Sequence, residues 1–215
     1  MSEARVPVSY VFDSYCGWCY GFAGAFGSFA ASHADRLDLT VISGGLFTGD
    51  RVVPMASLGF IPEANRRVSA LTGAVFGEAN ARLGADPTFL LDSTDAARGF
   101  GALRAQAPDR ALEIAHAWQL AFFRDGQSLS RVETARTVAV GLGLDPDAVA
   151  AALADPASLR AAHDDFARAR ALSVTAYPTV LVHLPDGRIG QLGSAVSTAA
   201  ELAEGFDRLV RGAGG

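Results

Sequence analysis

The spacing of apolar positions changes twice within the first forty-odd residues. Val6 to Asp13 (VPVSYVFD) is dense in Val and aromatic residues, and a different pattern starts after Ser14. This predicts a buried first strand, with Pro7 at its beginning, where a missing N–H is tolerated. From Cys16 onward, Cys19, Phe22, Phe26 and Phe29 recur at steps of three and four, the spacing of one helical face. Cys16 therefore stands at the helix start and Cys19 on the apolar stripe. Leu37 to Ser43 (LDLTVIS) predicts a second strand ended by Gly44 and Gly45, so the opening segment reads as a βαβ unit.

Between Thr48 and about Ser173 the pattern predicts helices only. Val68, Leu71, Val75 and Ala79 are assigned to one face, and Ala111, Ala115, Trp118 and Phe122 to another. Ser130 followed by Glu133 reads as a capping box, and Asp145-Pro146 and Asp155-Pro156 each place an acid before a first-turn proline. After Tyr177-Pro178, Thr179 to Leu184, a Pro185-Asp186-Gly187 turn and Arg188 to Leu192 predict a β-hairpin. Thr198 with Glu201 caps a last helix along Leu202, Phe206 and Leu209, and Gly212 to Gly215 are expected to fray. The chain is thus α/β, in the order β-α-β, helical insertion, β-β-α. The expected division is 1–47 with 174–215 as one discontinuous domain and 48–173 as the insertion.

Composition narrows the class. With 215 residues, half of them apolar and 19% charged, and a mean hydropathy of +0.22, the chain has the makings of a core and lies far from disorder. Net charge is −5, and all 18 basic residues are Arg without a basic run. That argues against a nucleic-acid partner. No apolar run approaches the ~20 residues of a membrane span, so no membrane association is expected. Met1 to Val6 lacks the pattern of a secretory signal, and the protein is expected to begin near Met1 and to act in the cytoplasm.

Only two cysteines occur, Cys16 and Cys19. A disulfide across so short a loop removes little unfolded-state entropy, so the pair calls for a chemical role. Zinc normally takes four ligands in closed spacing. No second CxxC accompanies this one and His33, His116, His163 and His183 are scattered singly, so no metal site is expected. A CxxC that follows a strand and opens a helix is instead a redox arrangement. At the helix start, the Cys16 thiolate faces unpaired N–H groups and the positive end of the helix dipole. Cys19, a turn later on the apolar face, fits a resolving cysteine. Asp13 caps the helix or relays the Cys19 proton. Trp18 is read as an apolar rim for substrate, Arg66, Arg67, Arg168 and Arg170 as solvated, and Gly44 to Gly49 as a turn bordering the site.

The run Phe12-Asp13-Ser14-Tyr15-Cys16-Gly17-Trp18-Cys19-Tyr20-Gly21-Phe22, followed far downstream by Val174-Thr175-Ala176-Tyr177-Pro178-Thr179, resembles the DsbA family of thioredoxin-fold disulfide oxidoreductases. It is most similar to the cytoplasmic branch of predicted protein-disulfide isomerases related to FrnE-type proteins. The resemblance spans essentially the whole chain. It implies a thioredoxin-like fold interrupted by an all-helical insertion, Cys16 as nucleophile, Cys19 as resolving cysteine, and Pro178 as a cis-proline facing them. The main chain of Tyr177 is implied to pair with bound peptide, and Gly17 and Trp18 to meet the substrate. Gly17-Trp18 departs from the Pro-His of the periplasmic oxidant that names the family, and a less oxidising pair is expected. A measured potential near about −120 mV would contradict that.

The function expected is thiol–disulfide exchange on a protein or small-molecule disulfide, as reductase or isomerase. No cofactor is bound, and an external thiol system of the glutathione or thioredoxin type resets the pair. Two rivals exist. Kappa-class glutathione-dependent transferases and isomerases resemble the same insertion-bearing fold, with a Ser region in place of paired cysteines. A chaperone-like binding module could use Trp18, Tyr177, Phe47 and the insertion surface without catalysis.

Overall fold

The computed structural model describes residues 5–213. Met1 to Ala4, on which the expected start rests, and Gly214 and Gly215 of the expected frayed end lie outside those residues. Strand β1 (Val6–Phe12) runs parallel to β2 (Leu37–Ser43), in register from Val6 opposite Leu37 to Phe12 opposite Ser43. Helix α1 (Gly17–Ser32) connects them, and its Cys19, Phe22, Phe26 and Phe29 are all buried as the three–four spacing requires.

The insertion begins with a 3₁₀ turn at Gly49–Arg51, then β3 (Val53–Pro54) and a second turn at Met55–Ser57. Helices α2 (Ile61–Thr72) and α3 (Glu78–Gly84) lead to β4 (Leu90–Leu91), which pairs antiparallel with β3. A 3₁₀ turn at Pro108–Arg110 separates α4 (Ser93–Gln106) from α5 (Ala111–Phe123). Helices α6 (Val132–Leu142), α7 (Pro146–Ala154) and α8 (Ala157–Ala171) complete it. The chain then forms β5 (Thr179–His183), β6 (Ile189–Gln191) and α9 (Ala199–Arg211). The main sheet has the order β2-β1-β5-β6, with β5 antiparallel to both neighbours. The architecture is a thioredoxin-like α/β fold carrying a helical insertion.

Alternation along β1 covers both faces of the sheet. Val8, Tyr10 and Phe12 join the main core with Phe22, Phe26, Phe29 and, from α9, Phe206. Val11 faces the other way, into a smaller core with Ile42, Ala169 of α8, Val174 and Leu181. Helix α8 of the insertion is thus the cover of one sheet face.

Five local expectations differ from the structure. The β3–β4 pair is a two-residue ribbon too short for period-two alternation to register, so "helices only" omits it. The face drawn through Val68, Leu71, Val75 and Ala79 does not exist. Gly73, at φ 75°, ends α2 in a left-handed cap, leaving Val68 buried and Leu71 and Val75 exposed. The Ser130–Glu133 capping box does not form, because α6 starts one residue later, with Arg131 at the N-cap and no side-chain cap. Arg67 is not simply solvated, since its guanidinium lies over the Trp18 ring, 5.9 Å from the centroid. By contrast, Asp145 is the N-cap of α7 and accepts from the Asp147 and Ala148 N–H groups, and Thr198–Glu201 is a complete capping box; Asp155 accepts from Ala157 at 2.7 Å but ends α7, and Pro156, expected in the first turn, takes the N-cap of α8.

Candidate active site

The end of β1, the start of α1 and the segment before β5 meet at the two cysteines. Cys16 is the N-cap of α1 and accepts the Cys19 N–H at 3.3 Å. The sulfur thus takes the place usually filled by a capping oxygen, and one of the unpaired first-turn donors points at it. Its thiol donates to the Tyr177 carbonyl at 3.5 Å. The Tyr177-Pro178 peptide bond is cis, as the resemblance implies. Both cysteines are free, with Cys16 6% exposed and Cys19 fully buried. Burial pushes the Cys19 thiol well up, and its hydrogen bond and charge interaction with Cys16 push further in that direction.

Asp13 is buried and does not cap α1. Its Oδ1 accepts from the Tyr15 N–H at 2.9 Å and its Oδ2 from the Leu46 N–H at 2.9 Å. The carboxyl therefore ties the approach to α1 to the loop after β2. Burial raises it from its ordinary 3.8 to about 6, against the lowering effect of those two N–H donors. Its charge also raises Cys19, as the smallest of the contributions there. The Asp13 backbone carbonyl accepts from Cys16 N–H at 3.1 Å and from Gln119 Nε2 at 3.3 Å.

The loop after β2 borders the cysteines as expected. Tyr177 donates no bond to it but accepts one, from the Gly45 N–H to its hydroxyl at 3.2 Å. A Cβ on Gly44 would sit 2.3 Å from the Tyr177 ring, so only glycine admits that ring. From the other side, α2 closes over Gly17, where an added Cβ would lie 3.3 Å from Asn65 Oδ1. Between these walls lies a cavity of about 290 Å³, bounded by Cys16, Trp18, Phe47, Phe60, Ile61 and Phe122 among others.

All the sequence-proposed residues, Asp13, Cys16, Gly17, Trp18, Cys19, Tyr177 and Pro178, therefore converge on one place. Sequence reasoning missed Gln119, Tyr10 and the α2 wall. Gln119 left a signal, being a polar residue within the apolar α5 pattern. Tyr10 left none: it reads as an ordinary strand aromatic, yet its phenol is buried without a hydrogen-bond partner, and burial, then Cys19 and Cys16, hold its pKa well up. Among the described residues, no group of three His, Cys, Asp or Glu side chains could hold a metal ion, and no helix is long and apolar enough to cross a membrane.

A dithiol at the start of the first helix of a thioredoxin-like sheet, facing a cis-proline segment, defines the class of protein. Residues 7–201 match the DSBA-like thioredoxin domain, and the chain belongs to that family of thiol–disulfide oxidoreductases. Solved structures agree on the fold. A candidate protein disulfide isomerase from Nitrosomonas europaea superposes with a TM-score of 0.84 at 19% identity, covering 97% of this chain and 99% of its own. The cytosolic disulfide reductase DsbM from Pseudomonas aeruginosa gives 0.79 at 23% identity over 95% and 98% of the two chains. The same protein with GSH gives 0.76 at 24% over 95% and 99%. No curated protein matches the chain in sequence.

Proposed function

We propose that the protein is a two-cysteine disulfide reductase with isomerase capability, acting in the cytoplasm on a protein or small-molecule disulfide. The observation that carries this reading is the placement of Cys16. Its sulfur caps α1, receives the Cys19 N–H and faces the Tyr177 carbonyl, so an incoming disulfide meets that sulfur with a main-chain strip beside it. The Cys16 thiolate attacks one sulfur of the substrate, forming a mixed disulfide and expelling the other sulfur as a thiolate that takes up a proton. Cys19 then loses its proton, attacks the Cys16 sulfur and releases the second thiol. The substrate gains two electrons and the Cys16–Cys19 bond closes.

Burial keeps Cys19 protonated until that step, and Asp13, raised to about 6, is the proposed acceptor of its proton. Gly17 and Trp18 flank the attacking sulfur on the substrate side. The pair needs no bound cofactor, and two equivalents of an external thiol, glutathione or a thioredoxin-type dithiol, reopen it. The cytosolic reductase among the similar structures, also seen with GSH, supports this direction and reductant. Replacing Cys19 by Ser tests the cycle. Mixed disulfides should accumulate at Cys16 under mild oxidation, and insulin reduction should collapse. Unimpaired turnover without Cys19 would point to kappa-type glutathione chemistry, and absence of any adduct would remove the dithiol reading.

A further inference from the structure

Strand β2 is an edge of the main sheet, paired with β1 on one side and with no strand on the other. Successive residues of a strand aim their main-chain groups to opposite sides. The Val6 N–H donates to the Arg36 carbonyl and the Gly44 N–H to the Phe12 carbonyl, so even-numbered residues from Arg36 to Gly44 face β1 and odd-numbered ones face outward. The outward Leu37 N–H is taken by the His33 carbonyl at 3.1 Å, the Val41 carbonyl by Arg104 and the Ser43 N–H by Asp165. The Leu37 carbonyl and both main-chain groups of Leu39 have no partner among the described residues. The insertion therefore covers the half of the edge nearer the dithiol and leaves the other half open. Beside the open half lies a groove of about 810 Å³, bounded by Leu37, Asp38 and Leu39, by α1 and by the start of α5. A Cβ added at Gly24 or Gly27 on its α1 wall would meet nothing within 4 Å. On its rim Arg110 is engaged by Glu113 at 2.8 Å. Exposed Asp38, Asp109 and Arg5 have no ion-pair partner among the described residues, which leaves two acids against one cation.

We propose that the open half of the β2 edge is a docking site for an extended segment of a partner polypeptide, which adds as a fifth strand with apolar side chains in the groove and a Lys or Arg beside Asp38. Free donors and acceptors at strand spacing are the template for another strand. Such a segment needs only the Leu37 carbonyl and the two Leu39 groups, and its groove-facing side chains leave water against the α1 wall, which is favourable. The acidic excess on the rim selects a basic residue over an acidic one. A second copy of this chain fits the edge less well. Two-fold pairing about Leu39 sets Leu37 of each copy against Val41 of the other, where the Arg104 guanidinium already fills the carbonyl. The site stands at the opposite end of β2 from the Gly44 loop, so it tethers a partner without occupying the space in front of Cys16, and it does not depend on the dithiol chemistry.

The test uses fluorescent peptides of alternating Leu and Thr with a central Arg or Glu, titrated into the full-length protein and followed by anisotropy. The Arg peptide should bind about threefold or more tighter than the Glu peptide, and Asp38→Arg should reverse that order. Every second N–H of an added strand faces β2. N-methylating one alternate set in the peptide should therefore weaken binding by about tenfold or more, and methylating the other set should leave it within about twofold. Hydrogen exchange of the Leu39 amide should slow in the complex, while that of Thr40, which faces β1, stays as it was. Gly27→Leu fills the groove from a helix position with open space beside it, and should abolish binding while insulin reduction continues unchanged. No binding by either peptide, equal effects of the two methylated sets, unaltered Leu39 exchange or unaltered affinity in Gly27→Leu would each overturn the proposal. A dimer in solution that Gly27→Leu dissociates would assign the edge to a second copy and overturn it too. Insulin reduction is read in parallel, so a failed dithiol reading is distinguished from a failed docking site.

Discussion

Asp13 is where local chemistry and long-range structure part company. Three residues before Cys16, an acid reads as a helix cap or a proton relay, but the cap is the Cys16 sulfur itself and the carboxylate bridges Tyr15 to Leu46. The second partner comes from the loop after β2, which no local pattern announces. Burial lifts the carboxyl from 3.8 to about 6, so the native state holds its proton more tightly than the unfolded chain. Its contribution to stability is therefore fully present below about pH 4 and is lost as pH rises through about 6, an amount of roughly 3 kcal/mol. Exposed acids paired with Arg, such as Asp207, act in the opposite sense at lower pH. Asp13→Asn keeps one acceptor oxygen and removes the titration. Denaturant unfolding from pH 4 to 7 should then lose the decline seen in the unaltered protein, and an unchanged slope would refute the assignment.

Among the elements, those whose ends are written in side chains were legible and those ended by packing were not. Asp145 and Thr198 act as the spacing requires, because a cap involves residues two or three apart. Ser130 and Glu133 have the same spacing but miss by one residue. There Thr134 donates to the Ser128 carbonyl at 2.7 Å, and α6 starts at Val132. Thr198→Ala should thus cost about 1 kcal/mol, whereas Ser130→Ala should stay within about 0.5 kcal/mol. Paired urea midpoints decide this, and equal losses would contradict it. The α2–α3 break at Gly73 was likewise hidden, since Leu71 and Val75 are apolar residues that the fold leaves exposed, and a periodicity count credits them to a face.

Over the whole molecule, the insertion is fastened to the sheet by a charge pair rather than by apolar packing alone. Asp165 of α8, nearly buried, accepts from Arg104 of α4 at 3.0 Å and from the Ser43 N–H at the end of β2, also at 3.0 Å. Arg104 in turn donates to the Val41 carbonyl at 2.6 Å. The knot joins two insertion helices to the strand that leads into the Gly44 loop, and so stabilises the site from behind. Asp165→Ala leaves the Arg104 guanidinium without its counter-charge and the buried Ser43 N–H without its acceptor, and should cost about 3–5 kcal/mol, read as a lowered denaturant midpoint. A loss under 1 kcal/mol would show that the knot contributes little.

The sequence by itself determined the order of the four main-sheet strands with α1 and α9, the apolar stripe of α1 and the placing of the dithiol at a strand-to-helix junction. Each depends on residues a few positions apart, whose spacing maps directly onto a helix turn or a strand pleat. Only the tertiary structure decided what surrounds the sulfur: the Tyr177 carbonyl from 161 residues away, the Leu46 amide on Asp13, the Gly44 gap that admits the Tyr177 ring, and the uncharged wall of α2. Those partners are selected by how the sheet and insertion pack, and packing partners distant along the chain leave no period in it to read.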